Sequence, residues 1–216
     1  MHGFFLNIFL NHSVVIAAAI AVLRFKIIDK NFQPFIFFIW LGLINETLSL
    51  VLIYTKGSNT VNSNVYVLLE SLLILYLFFS WDSISKPLYS LLMFAAVSVW
   101  ITDNLVVHNI NGNNSVFRIF YSFIIIFCSL IQVNKLVISE RVSLIKNPVF
   151  LICIAFLAYY ACKAFVEVFN AFHLSLSHSC NRSIFTILYL ADFLSNLIYA
   201  IALLCIPRKQ LFTMPY

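Results

Sequence analysis

The sequence predicts an all-α integral membrane bundle of seven transmembrane helices, with the N-terminus outside and the C-terminus cytoplasmic. Three observations predict it. Of the 216 residues, 62% are hydrophobic and only 10% are charged, whereas a soluble domain is about half apolar and about a quarter charged. Seven apolar runs of about 20 residues, the length that crosses a ~30 Å hydrocarbon core, follow one another with short polar loops between them. The Lys and Arg residues, finally, fall mainly in alternate loops. Seven spans use most of the chain, leaving no room for an attached kinase, nucleotide-binding or DNA-binding domain. No GxxxxGK[ST] or GxGxxG segment occurs to suggest one. We therefore read residues 1–216 as a single polytopic domain.

The first run, 4–23, is followed by Arg24, Lys26 and Lys30 and is preceded by no Lys or Arg. A secretory signal peptide carries its positive charge before the apolar stretch, so this run reads as a retained helix. The later runs are 34–54, 64–80, 87–107, 116–137, 148–172 and 183–206. Pro34, Pro87 and Pro148 each open a run, where the missing N–H costs nothing because the first amides of a helix lack intrahelical partners. Lys56-Gly57-Ser58-Asn59 and the Asn-rich stretch 109–114 mark loops.

With the N-terminus outside, Arg24, Lys26, Lys30, Lys86, Lys135, Arg141, Lys146, Arg208 and Lys209 are cytoplasmic, and only Lys56, Arg118 and Arg182 are outside. That is a consistent positive-inside bias. The net charge of +5 is thus mainly a topology signal and implies no nucleic-acid partner. Cys128, Cys153, Cys162 and Cys205 lie in apolar runs as small hydrophobes and Cys180 lies alone in the last outer loop, so no intrachain disulfide is expected.

The informative residues are polar ones inside the runs. Glu46, Glu70, Glu167 and Asp192 lie in apolar segments, where an ionised group near the bilayer centre costs about 2.5–3.5 kcal/mol on insertion scales. Helical spacing gives each of them polar company. Tyr189, Asp192, Asn196 and Tyr199 share one face of the seventh helix, and Tyr159, Lys163, Glu167 and Asn170 share one face of the sixth. Lys163 and Glu167, one turn apart, are expected to pair. Tyr66 precedes Glu70 by one turn, Asn45 adjoins the stripe of Gly42, Glu46 and Ser49, and Arg118, Ser122, Ser129 and Gln132 share a face of the fifth helix. The first helix adds Asn7, Asn11 and His12. Asn, Ser and Tyr also serve as packing glue between membrane helices, at about 0.6 kcal/mol each. Asn or Gln would supply such glue at a lower desolvation cost than a carboxylate. Glu46, Glu70, Asp192, Lys163, Glu167, Asn45, Tyr66 and Asn196 are therefore the expected lining of a ligand- or ion-binding pocket in the outer half of the bundle. Four acids against Lys163 and Arg118 leave a formal interior charge of −4 + 2 = −2.

Known heptahelical chemistries fit poorly. A retinal protein needs a lysine deep in the last helix, and the seventh run has none. The zinc-dependent membrane amidases need histidines within helices, whereas His108, His173 and His178 fall in outer loops and no HxxxH occurs. No metal and no cofactor are expected. The stretch from Arg24-Phe25-Lys26 through Asn45-Glu46 to Asn64-Val65-Tyr66 and Glu70 resembles the start of small, uncharacterised heptahelical proteins of bacterial inner membranes. The resemblance spans three helices and implies seven spans in a bacterial plasma membrane, with no chemistry attached.

Three functions remain in competition. The leading one is binding of a small molecule, lipid or cation for sensing or signalling. Proton- or cation-linked transport, a channel or a membrane-permeabilising defence effector is the second. The third is an intramembrane lipid hydrolase using paired carboxyls such as Glu70 and Asp192. The expected partners are membrane lipids, a cytoplasmic protein and further copies of the chain.

Overall fold

The computed structural model describes residues 12–112, 114–139, 143–172 and 178–207. Among the described residues it is all-helical. The α-helices are α1 (Val14–Arg24), α2 (Gln33–Lys56), α3 (Thr60–Ser80), α4 (Lys86–Ile101), α5 (Ser115–Ser139), α6 (Pro148–Ala171) and α7 (His178–Cys205). Six segments are long and apolar enough to cross a membrane, as a multi-pass membrane protein requires. The exception is α1, with 11 described residues; most of the remainder of its expected run, including Asn7 and Asn11, lies outside the described residues. So do His173, Arg141, Arg208 and Lys209, and the side chains of His178, Cys180 and Arg182.

The starts of the helices follow from local chemistry. Pro34, Pro87 and Pro148 each occupy a first-turn position. Asn147 adds a cap, its Oδ1 accepting from the amides of Val149 at 2.9 Å and Phe150 at 3.2 Å. Gly57 ends α2 in the left-handed region at φ 72°, its N–H closing onto the Ile53 carbonyl.

Neighbours in sequence are neighbours in space from α1 to α4 and again from α5 to α7. The circuit closes where α7 packs on α1 and α3 meets α5. Arg24 fixes that closure. Its guanidinium donates to the Leu203 carbonyl and, at 2.8 Å, to that of Ile206, placing a cation where the last carbonyls of α7 lack helical donors. At this end of the bundle Phe35, Phe38, Phe156 and Tyr199 form a layer, with ring centroids 5.4–5.7 Å apart in edge contacts.

The fourth span departs from the expected uninterrupted helix. After Ile101 the chain widens into a π-helical turn, Thr102–Val107. The wider turn swings Asp103 and Asn104 inward, where they are 3% and 2% exposed. Asp103 Oδ2 accepts from the Phe117 amide at 2.8 Å, capping α5, and Oδ1 meets His108 Nδ1 at 2.8 Å. Counting four acids in the apolar runs therefore omitted a fifth, Asp103, whose use is structural. Asp103→Ala removes a buried cap and is expected to cost about 1–2 kcal/mol, measurable by thermal unfolding of the purified chain.

Candidate functional site

Three carboxylates are buried, each with at least one donor supplied from another element. Glu70, 1% exposed, accepts from Tyr66 Oη at 3.0 Å, Tyr121 Oη at 2.7 Å and Lys163 Nζ at 3.2 Å. Glu167 accepts from Ser115 Oγ at 2.7 Å and Asn170 Nδ2 at 3.3 Å, and faces Arg118 at 3.6 Å. Arg118 also donates to Ser63 Oγ and to Asn64 Oδ1, at 2.9 and 3.0 Å. Asn64 in turn donates to the Ile110 and Gly112 carbonyls, so this network locks α3, α5, α6 and the loop before α5 together. Asp103, already described, is the third.

The expected Lys163–Glu167 pair is thus corrected. The two residues are one turn apart on α6, but each finds its partner on a different neighbouring helix: Lys163 turns to Glu70 of α3, and Glu167 to Arg118 of α5. A partner reached across a helix interface brings further donors with it, which a neighbour on the same surface does not. Neither Lys163 nor Glu167 lines the cavity described next.

That cavity, of about 80 Å³, lies among α1, α2, α3, α6 and α7 and is lined by Gly42, Glu46, Tyr66, Glu70, Tyr159, Asp192, Asn196 and Tyr199, with Val14, Phe38 and Ile39 as apolar wall. Five of the eight residues singled out by sequence therefore share it: Glu46, Tyr66, Glu70, Asp192 and Asn196. Glu46 also lines a larger recess of about 290 Å³, together with His12, Asn45, Ser49, Asn59, Ser63 and Tyr189 among others. Asn45 belongs to this recess, its Oδ1 accepting from Asn62 Nδ2 at 2.9 Å. Because Asn59 lies in the α2–α3 connection and Ser63 in the first turn of α3, the recess lies at that end of the bundle. The aromatic layer lies at the other.

The charges separate accordingly. Glu70 has Lys163, Glu167 has Arg118, and Asp103 has a helix N-terminus and His108. Glu46 and Asp192 have no lysine or arginine partner among the described residues. Among the described residues Asp192 receives one hydrogen bond, from Asn196 Nδ2 at 3.1 Å, and the same amide group donates to Ser13 Oγ at 3.0 Å. The two carboxylates without a lysine or arginine partner, Glu46 and Asp192, thus border one cavity. In a medium of low dielectric, two such groups call for a cation or a proton.

Sequence reasoning missed Tyr121, the closest donor to Glu70, although its signal was present: Tyr121 is one turn beyond Arg118 on the buried stripe of α5. It also gave no reason to single out the apolar wall residues Phe38 and Ile39.

Gly42 offers a steric test. A Cβ there would meet only Tyr66 Oη and Val14 Cγ2, both at 3.8 Å, so Gly42→Ala is expected to fold normally. Gly42→Leu would fill the cavity while leaving every charge in place, and is expected to abolish ligand-induced stabilisation in a thermal-unfolding titration.

No family model matches the chain, and no curated protein or solved structure does.

Proposed function

We propose that the chain is a seven-span protein of a bacterial inner (plasma) membrane, N-terminus outside and C-terminus cytoplasmic, that binds a small cation in this intramembrane cavity and signals its presence to a cytoplasmic protein. The observation that carries the reading is that Glu46 and Asp192 border one cavity with no lysine or arginine partner among the described residues. The orientation rests on the distribution of cations along the sequence, nine in the cytoplasmic segments against three outside. It makes the recess beside the α2–α3 connection an outward-facing entrance. The signal would be a shift of α7 against α1 and α2 as the carboxylates close on the ligand, since all three helices contribute to the wall.

Binding is favoured over permeation by the aromatic layer. Phe35, Phe38, Phe156 and Tyr199 are all buried and packed ring against ring beneath the cavity, so transport would require that layer to part. The hydrolase reading is weaker still, because Glu70 already accepts three hydrogen bonds, one of them from a lysine, and is poorly placed to exchange protons with a substrate.

The test is thermal unfolding of the purified full chain against a panel of inorganic and organic cations. A ligand present at 100 times its Kd stabilises by about 2.7 kcal/mol. The expected result is a rise in Tm with at least one small cation that Glu46→Gln removes; no rise with any cation would overturn the reading.

A further inference from the structure

Resting on the cation-binding reading above, we infer that the cavity takes a primary ammonium group carried on a short polar chain, in preference to a metal ion or a quaternary ammonium.

The protein holds an ammonium of its own next door. Lys163 Nζ lies 3.2 Å from Glu70 Oε2 and sits over the rings of Tyr121, Tyr159 and Tyr160, at 5.1, 5.2 and 5.5 Å from their centroids. Carboxylate plus tyrosine rings is a donor set suited to a desolvated ammonium, which gains from both charge and ring quadrupole. The cavity's lining holds the same residue types, Glu46, Glu70 and Asp192 with Tyr66, Tyr159 and Tyr199, and Glu70 is already taken by Lys163. Glu70 and Tyr159 are common to both sites, and among the described residues no lysine or arginine lines the cavity.

Two further groups favour a donor-bearing ligand. Asn196 spends its amide donors on Ser13 and Asp192, which leaves its carbonyl oxygen as an acceptor. Tyr199 is 3% exposed and lines the cavity with no hydrogen-bond partner among the described residues. A primary ammonium has three N–H donors to distribute among Glu46, Asp192 and the Asn196 carbonyl; a quaternary ammonium has none. A metal ion is disfavoured by the walls. Glu70 is engaged by Lys163, and the described residues contain no group of three or more His, Cys, Asp or Glu able to hold a metal.

Size sets the rest. A volume of about 80 Å³ is well below the ~150 Å³ that admits a benzene ring, so the cavity takes a head group only. The chain attached to it extends past Glu46 into the outer recess, whose Asn45, Ser49, Asn59 and Ser63 suit a hydroxyl or a second polar group. Free amino alcohols and the head group of phosphatidylethanolamine share this chemistry.

The proposal is tested on the purified full chain by following Tm while titrating ethanolamine, ethylamine, choline, NaCl and MgCl2 at matched ionic strength. The chain is also followed in nanodiscs of phosphatidylethanolamine or phosphatidylcholine. Ethanolamine is expected to raise Tm at concentrations about tenfold or more below those of choline or sodium, and Glu46→Gln and Asp192→Asn are each expected to weaken the response about tenfold or more. A response to free ethanolamine assigns a water-soluble ligand. A response confined to phosphatidylethanolamine bilayers assigns a lipid, and both support a primary ammonium. Choline, sodium or magnesium acting at equal or lower concentration overturns this inference while leaving the cation-binding reading intact. No response of the wild-type chain to any of the probes overturns both.

Discussion

Lys163→Met is expected to lower the unfolding free energy by about 3–5 kcal/mol, the usual cost of removing one partner from a buried ion pair. Glu70 is 1% exposed and Lys163 6%, so water does not replace the lost cation, and Tyr66 and Tyr121 alone remain to donate to a carboxylate in the bundle interior. The change also removes the ammonium lying over three tyrosine rings, so α6 loses this contact with α3 and α5 while keeping those of Glu167 to Ser115 and Arg118. The double variant Lys163→Met with Glu70→Gln is expected to recover most of the loss, since the amide oxygen still accepts from a tyrosine hydroxyl and no charge is left unpaired. Denaturant unfolding of the three proteins measures this. A single-variant cost below about 1 kcal/mol, the range of solvent-exposed pairs, would show that the pair is hydrated.

Asp192→Asn is expected to separate folding from binding. The amide keeps the size of the side chain and its contact with Asn196, so Tm without ligand should equal or exceed that of the wild type, while affinity for the cation falls about tenfold or more. Asp192→Leu should instead lower stability by about 1–3 kcal/mol, because Asn196 loses one of its two hydrogen-bond acceptors in a buried position. If Asp192 only held helices together, Asp192→Asn would respond to ligand as the wild type does, and that result would defeat its assignment to the pocket.

How much of this was legible in the sequence depends on the range of the interaction concerned. The helix starts at Pro34, Pro87 and Pro148 are set by the residues at the start itself, and they lie where the punctuation puts them. The inward face of α7 was equally legible: Asp192, Asn196 and Tyr199 follow the helical period, and all three border the cavity. Pairing was not, because periodicity reports which face a residue occupies and not which helix that face meets. Lys163 and Glu70 are 93 positions apart, and the nearer candidate, Glu167, was the natural partner on spacing alone. The π-turn at Thr102–Val107 was hidden for the same reason. It accompanies a cap that Asp103 supplies to Phe117, 14 residues on, and nothing in 87–107 taken alone distinguishes that use from a continuous span.

Whether Glu46 and Asp192 together form one cation site is tested most directly by equilibrium binding. Isothermal titration of ethanolamine into the purified full chain, and into the double variant Glu46→Gln with Asp192→Asn, counts sites per chain. One site per wild-type chain and none in the double variant are expected, with both proteins folded by circular dichroism. A double variant that binds with wild-type stoichiometry and affinity would contradict a site formed by these two carboxylates.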